Sequence, residues 1–145
     1  MLKVKGNFDA VKAEMRLARS IVSGGIRGLK AQHKPKDKWS PYPTRVTNRI
    51  NELEFKEKLF RVSKTLPVRI EGLVINYKLY SSFTKKLKDF RISVAVNDNC
   101  LEVNYWKPGT LNNGKGVLKL YDLSPYFVEF KHIPVAEFVE DGSKT

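Results

Sequence analysis

Cations interleaved with aromatic rings are the residues of this chain best suited to chemistry. Lys30, His33, Lys34, Lys36, Lys38, Trp39, Tyr42, Arg45 and Arg49 follow one another on a path stiffened by three prolines. Ammonium and guanidinium groups neutralise phosphates, and flat rings stack on unpaired bases, so the pattern suits contact with a nucleic acid. The competing structural role is that Trp39 and Tyr42 anchor the segment on the protein's own core while the lysines stay in water. Just upstream, Lys12, Arg16, Arg19, Arg27 and Lys30 recur at helical spacing. Lys85, Lys86, Lys88 and Arg91 form a further cluster, which is either a phosphate contact or a solvated turn. The expected nucleic-acid-binding residues are therefore Lys12, Arg16, Arg19, Arg27, Lys30, Lys34, Lys36, Lys38, Trp39, Tyr42, Arg45, Arg49, Lys85, Lys86 and Lys88.

Other chemistries find weaker footing. The run SGGIRG follows a helical pattern, whereas a glycine-rich phosphate cradle follows a strand and opens a helix. Glu54–Lys56 and Glu129–Lys131, the latter with Asp122 upstream, have the carboxylate-x-lysine form used in metal-dependent nucleolysis. So short a triplet arises often by chance, and neither a metal nor another cofactor is expected. His33 or His132 could act as general base in metal-free RNA cleavage, with basic residues stabilising the phosphorane. A turn or surface role is the simpler reading of His132. Cys100 opens an expected strand with no activating partner placed by sequence, which reads as a packed thiol. No catalytic residue is expected. One cysteine and two histidines exclude an internal disulfide framework and a Cys/His zinc module.

These side chains need elements to hold them. Leu2 to Lys5 alternates apolar and basic residues and predicts a short strand. Asn7 offers a helix cap, and Asp9 falls in the first turn, where the dipole favours an anion. Phe8, Val11, Met15, Ala18, Val22, Ile26 and Leu29 then lie within an arc of about 80° at helical spacing. The five cations from Lys12 to Lys30 occupy the adjacent arc. Gly24, Gly25 and Gly28 together cost about 2–3 kcal/mol of helix propensity relative to alanine. Either they break the helix near Ser23, or they form a smooth face on a continuous one; the sequence leaves both open. The three prolines of residues 32–43 forbid a long helix there. Thr44 is placed to cap a second helix through Ser63, with Val46, Ile50, Leu53 and Phe60 inward. Its exposed side would carry Glu52–Lys56 and Glu54–Lys58 pairs.

After Pro67 the texture becomes strand-like. Val68–Tyr80 reads as one bent strand or two, with a bulge at Gly72. Phe83–Phe90 reads as a basic turn or helical piece. Ile92, Val94 and Val96 alternate, Asn97-Asp98-Asn99 supplies a turn, and Leu101, Val103 and Tyr105 alternate again, which predicts a β-hairpin. Val117–Tyr121 adds a strand, and residues 126–139 two more, bent at Pro134. The fold class expected is α+β, with two N-terminal helices packed on an antiparallel meander sheet of about four to six strands. A single domain over 1–145 is expected, with a basic helical half (1–66) carrying the arm 32–43, a strand-rich half (67–140) and a frayed tail (141–145).

Charge sharpens the functional reading. Of 145 residues, 27 are Lys or Arg and 15 Asp or Glu, for a net charge of +12. Residues 1–70 hold seventeen basic and six acidic side chains, and residues 71–145 ten and nine. Such segregation predicts a positive face or arm and a polyanion partner. The start lacks the apolar stretch of a signal peptide and no run approaches a membrane span, so a cytoplasmic or virion-associated protein without membrane contact is expected. The opening MLKVKGNFDAVKAEM and the helix after it resemble the start of some bacteriophage tail-completion and neck proteins, although no diagnostic motif accompanies the resemblance.

The leading expectation is a small, non-enzymatic nucleic-acid-binding protein, DNA or RNA. The first alternative is an oligomeric structural or assembly protein, such as a virion, neck or tail component, whose basic face meets nucleic acid or an acidic protein surface. A third is a small endoribonuclease, whose toxin-type members share a basic helix-then-sheet build. An inhibitor of a nucleic-acid enzyme is a fourth, although mimicry of DNA would call for acidic rather than basic balance.

Overall fold

The computed structural model describes residues 2–33, 42–109 and 114–139. Strand β1 (Leu2–Lys5) leads into α1 (Asp9–Gln32) and α2 (Thr44–Leu59), followed by β2 (Pro67–Ile70), β3 (Leu73–Asn76) and α3 (Tyr77–Lys85). The remainder is β4 (Arg91–Asn97), β5 (Cys100–Trp106), β6 (Lys115–Tyr121), a 3₁₀ turn at Ser124–Tyr126 and β7 (Val135–Phe138). The class is α+β. The strands form two sheets rather than one meander, ordered β1-β7-β2-β3 and β4-β5-β6. The chain divides into two compact units, residues 1–11 with 65–145, and residues 12–64.

In the strand-bearing unit, β4, β5 and β6 make the antiparallel meander that alternation predicts, with Val94 opposite Val103 and Leu101 opposite Leu120. The four-stranded sheet is mixed. Its first and last strands lie side by side, Leu2 opposite Phe138, and β7 runs parallel to β2, with the Arg69 N–H donating to the Pro134 carbonyl at 2.8 Å. Leu2, Val68, Ile70, Leu73, Ile75, Tyr80, Leu101, Val103, Leu120 and Ala136 share one core drawn from both sheets. Burying each such aliphatic side chain contributes about 1.5–3 kcal/mol, which sets against the entropy of ordering these short strands.

Several boundaries differ from the sequence reading, each for a local reason. Val68–Tyr80 is a two-residue hairpin followed by a helix. Glu71 and Gly72 take φ of 45° and 84°, the doubly left-handed turn that suits the twist of paired strands, so Gly72 closes a turn instead of marking a bulge. Asn76 then stops β3 and starts α3, because its side chain accepts the N–H groups of Lys78 and Leu79. Of residues 126–139 only Val135–Phe138 is a strand; Tyr126 and Phe127 instead close 3₁₀-type hydrogen bonds onto Leu123 and Ser124.

Asp122 ties this unit together. Its carboxylate accepts the Val74 N–H at 2.8 Å, the Ser124 N–H at 2.9 Å and the Ser124 hydroxyl at 2.6 Å. Burial alone would raise its pKa, but these hydrogen bonds and the charge of Arg69 outweigh it and hold the carboxyl below its ordinary value. Across the other sheet, Tyr105 lies over Gly116, where an added Cβ would collide with the ring. Phe83 and Phe90 meet the same ring edge-on, at centroid distances of 5.2 and 5.8 Å.

The helical unit is built on the two long helices. The Asn7 side chain accepts the Asp9 N–H at 3.0 Å, as a helix-start residue should. Helix α1 runs unbroken through Gly24, Gly25 and Gly28. The reason is tertiary: Val22, Ile26 and Leu29 bracket the glycines and pack with Val46, Ile50, Leu53 and Tyr42. Helix α2 ends at Leu59 rather than Ser63, and Thr44 is its first residue rather than its cap, since Pro43 precedes it without a side-chain cap bond. Glu52 pairs with Arg49 at 3.1 Å in place of the expected Lys56.

Candidate functional site

Helical periodicity brings a subset of the expected cations onto one wall. Arg16, Arg19, Ser20, Ser23 and Arg27 fall within an arc of about 100° on α1 at 3.6 residues per turn. Facing them is the segment just past the end of α2: Phe60, Arg61, Val62 and Ser63. Together these residues line a recess of about 590 Å³. The recess lies wholly within the helical unit, which holds fourteen basic and five acidic side chains. Four guanidinium groups and three hydroxyls therefore share one concavity.

One carboxylate organises part of it. Glu57 Oε1 lies 3.5 Å from Arg19 and accepts a hydrogen bond from Arg61 at 3.4 Å, so a single acid bridges two guanidinium groups. Its spacing to Arg61 is i,i+4 at the end of α2, where a cation also suits the helix dipole. The side chains of Arg19 and Arg61 are each 43% exposed, so this bridge is a positioning device more than a source of stability. In both, Nε is buried without a hydrogen-bond partner. Among the described residues Arg16 and Arg27 have no carboxylate partner and are exposed. The arrangement can bind an anion that bears several acceptor oxygens.

The other expected contacts are dispersed. Lys12 and Lys30 sit on α1 outside the recess lining, and Arg45 and Arg49 are exposed on α2, the latter paired with Glu52. Tyr42 packs against the helical core, which favours its structural role. Lys34, Lys36, Lys38 and Trp39 lie outside the described residues. Lys85, Lys86 and Lys88 are exposed in the strand-bearing unit, at the end of α3 and the turn after it.

The catalytic alternatives gain no constellation. Among the described residues, no group of three or more His, Cys, Asp or Glu is placed to hold a metal ion. Glu54 and Lys56 lie on a helix and Glu129–Lys131 in irregular chain, so neither triplet has the strand geometry that would align its charges. Asp122 is occupied by its structural hydrogen bonds and Cys100 is buried.

Sequence reasoning found Arg16, Arg19 and Arg27 but missed Arg61, Glu57, Ser20, Ser23 and Ser63. Ser20 and Ser23 were legible, because they fall on the same arc of α1 as its arginines. Arg61 was not, because its role depends on α2 ending at Leu59. Among the described residues no helix is long and apolar enough to cross a membrane. No protein-family model, curated protein or solved structure matches the chain.

Proposed function

We propose that this protein binds nucleic acid without catalysing a reaction, through the cationic face of its helical unit. The observation that carries the reading is the recess lined by Arg16, Arg19, Arg27 and Arg61, two of which, Arg19 and Arg61, share the Glu57 carboxylate. Arginine forks match phosphate oxygens two at a time, and half-buried Lys12 with exposed Lys30, Arg45 and Arg49 extend the field beyond the recess. The basic-aromatic arm, Lys34, Lys36, Lys38 and Trp39, supplies further phosphate contacts and base stacking in this account. Lys85, Lys86 and Lys88 form a secondary contact. No base-reading motif is present, so affinity is expected to follow charge and strandedness more than sequence.

The test is equilibrium binding of labelled single- and double-stranded oligonucleotides across a salt series. With six to eight phosphate contacts, log K against log salt should fall with a slope of roughly −5 to −7 on duplex. A slope near zero, or no retention on heparin at low salt, rejects the reading.

A second reading, an oligomeric assembly protein, is favoured by one observation. Leu17 and Ile21 are 65% and 67% exposed on α1, beside Gly24 and Gly28 on the wheel. An assembly would cover such a stripe. Mass measurement in solution separates the two: a stable ring with little affinity for free nucleic acid supports assembly, and a monomer that binds oligonucleotides supports the first reading.

A further inference from the structure

The recess is more concentrated than backbone tracking requires. A strand followed along its length presents one phosphodiester at a time, each with a single negative charge and two free oxygens. Cations spaced along a groove satisfy it. Here four arginines line one space, three from α1 and one from the chain past α2, and among the described residues Glu57 is the carboxylate paired with them. Ser20, Ser23 and Ser63 add hydroxyl donors to the same lining. Donor supply and positive charge both exceed what a diester can absorb. A phosphate monoester carries about −1.5 to −2 charges at neutral pH and three strong acceptor oxygens. The volume of about 590 Å³ leaves room beyond the phosphate, bounded by the apolar Phe60 and Val62, for the attached sugar and base.

We propose that the recess seats the terminal phosphate of a nucleic acid strand, in preference to an internal phosphodiester. The inference rests on the nucleic-acid reading above and makes its central pocket an end-recognition site. Arg16 and Arg27, which have no carboxylate partner among the described residues, would clamp the phosphate together with Arg19 and Arg61, which are held through Glu57.

Three single-stranded oligonucleotides of one sequence test it, bearing a 5′-phosphate, a 3′-phosphate, or hydroxyls at both ends, at matched salt. One phosphorylated end should bind at least about tenfold tighter than the hydroxyl-ended strand, as charge-assisted bidentate contacts allow. Which end wins identifies the polarity of the seated strand. Ser20→Ala with Ser23→Ala, and separately Arg61→Gln, should erase that preference while residual binding persists. Circular dichroism and a melting curve confirm that each variant folds. Equal affinity for all three strands overturns end recognition and leaves the nucleic-acid reading standing. A preference that survives in both folded variants also overturns it, because the end is then read elsewhere. Absence of binding to all three overturns both.

Discussion

At the scale of single residues, Glu57 and Asp122 show the same charge used in opposite ways. Glu57 bridges two arginines in a basic recess, so its removal should raise the field felt by an anion while freeing its partners to move. Glu57→Gln is expected to tighten oligonucleotide binding a few-fold at low salt and to alter thermal stability little, since exposed bridges contribute about 0–1 kcal/mol. Fluorescence anisotropy and a melting curve check both. Asp122 is instead a clamp whose carboxyl is stabilised in its charged form by Ser124, Val74 and Arg69 against the opposing effect of burial. A carboxyl lowered in the folded state contributes stability that is complete above its unfolded pKa and lost as pH falls through the folded one. The protein should therefore lose stability on acidification below about pH 4. Asp122→Asn should cost about 1–2 kcal/mol near neutrality and flatten that acid limb. Denaturant titrations at pH 7 and pH 3 read both effects. Neither role was legible in the sequence: Asp122 stood beside a carboxylate-lysine triplet, and its true partners lie 48 positions upstream at Val74 and two downstream at Ser124.

At the scale of elements, periodic patterns were legible and termini were not. The β4–β5 hairpin follows from alternation around Asn97-Asp98-Asn99, and the α1 stripe from its seven apolar positions, because those signals are repeated along the element. The Glu71-Gly72 turn, the Asn76 cap and the end of α2 each hinge on one or two residues, which a periodic reading passes over. The glycines of α1 show packing prevailing over propensity. Gly28 has open space where a Cβ would stand, so it is not required for close approach. Gly28→Ala should stabilise the helical unit by about 0.5–1 kcal/mol, visible as a higher melting temperature with unchanged oligonucleotide affinity. Gly116 is the reverse case. Gly116→Ala drives a methyl into Tyr105, whose ring cannot shift without losing its edge contacts to Phe83 and Phe90. A loss of about 1–3 kcal/mol in chemical denaturation is expected.

At the scale of the whole molecule, charge divides by unit in the same sense as by sequence half, though less sharply. Residues 12–64 hold fourteen basic and five acidic side chains, which leaves thirteen and ten for the strand-bearing remainder. The sequence localised the excess to its first half, and α+β composition was equally plain. It gave no sign that the strands would part into two sheets, because β7 returns to pair with both β1 and β2 across most of the chain. Nor could it show that three arginines of α1 would meet Arg61, since that meeting is tertiary. The central claim is that this meeting place is where nucleic acid is held. The most direct measurement is the salt dependence of duplex binding for the native protein and for Arg16→Ala with Arg27→Ala, against a control of Lys3→Ala with Lys119→Ala on the strands of the other unit. Each lost phosphate contact reduces the slope by about 1, so the recess pair should make it shallower by about 2 and the control should leave it unchanged. A recess pair with the native slope, or a control that loses as much, would contradict the account.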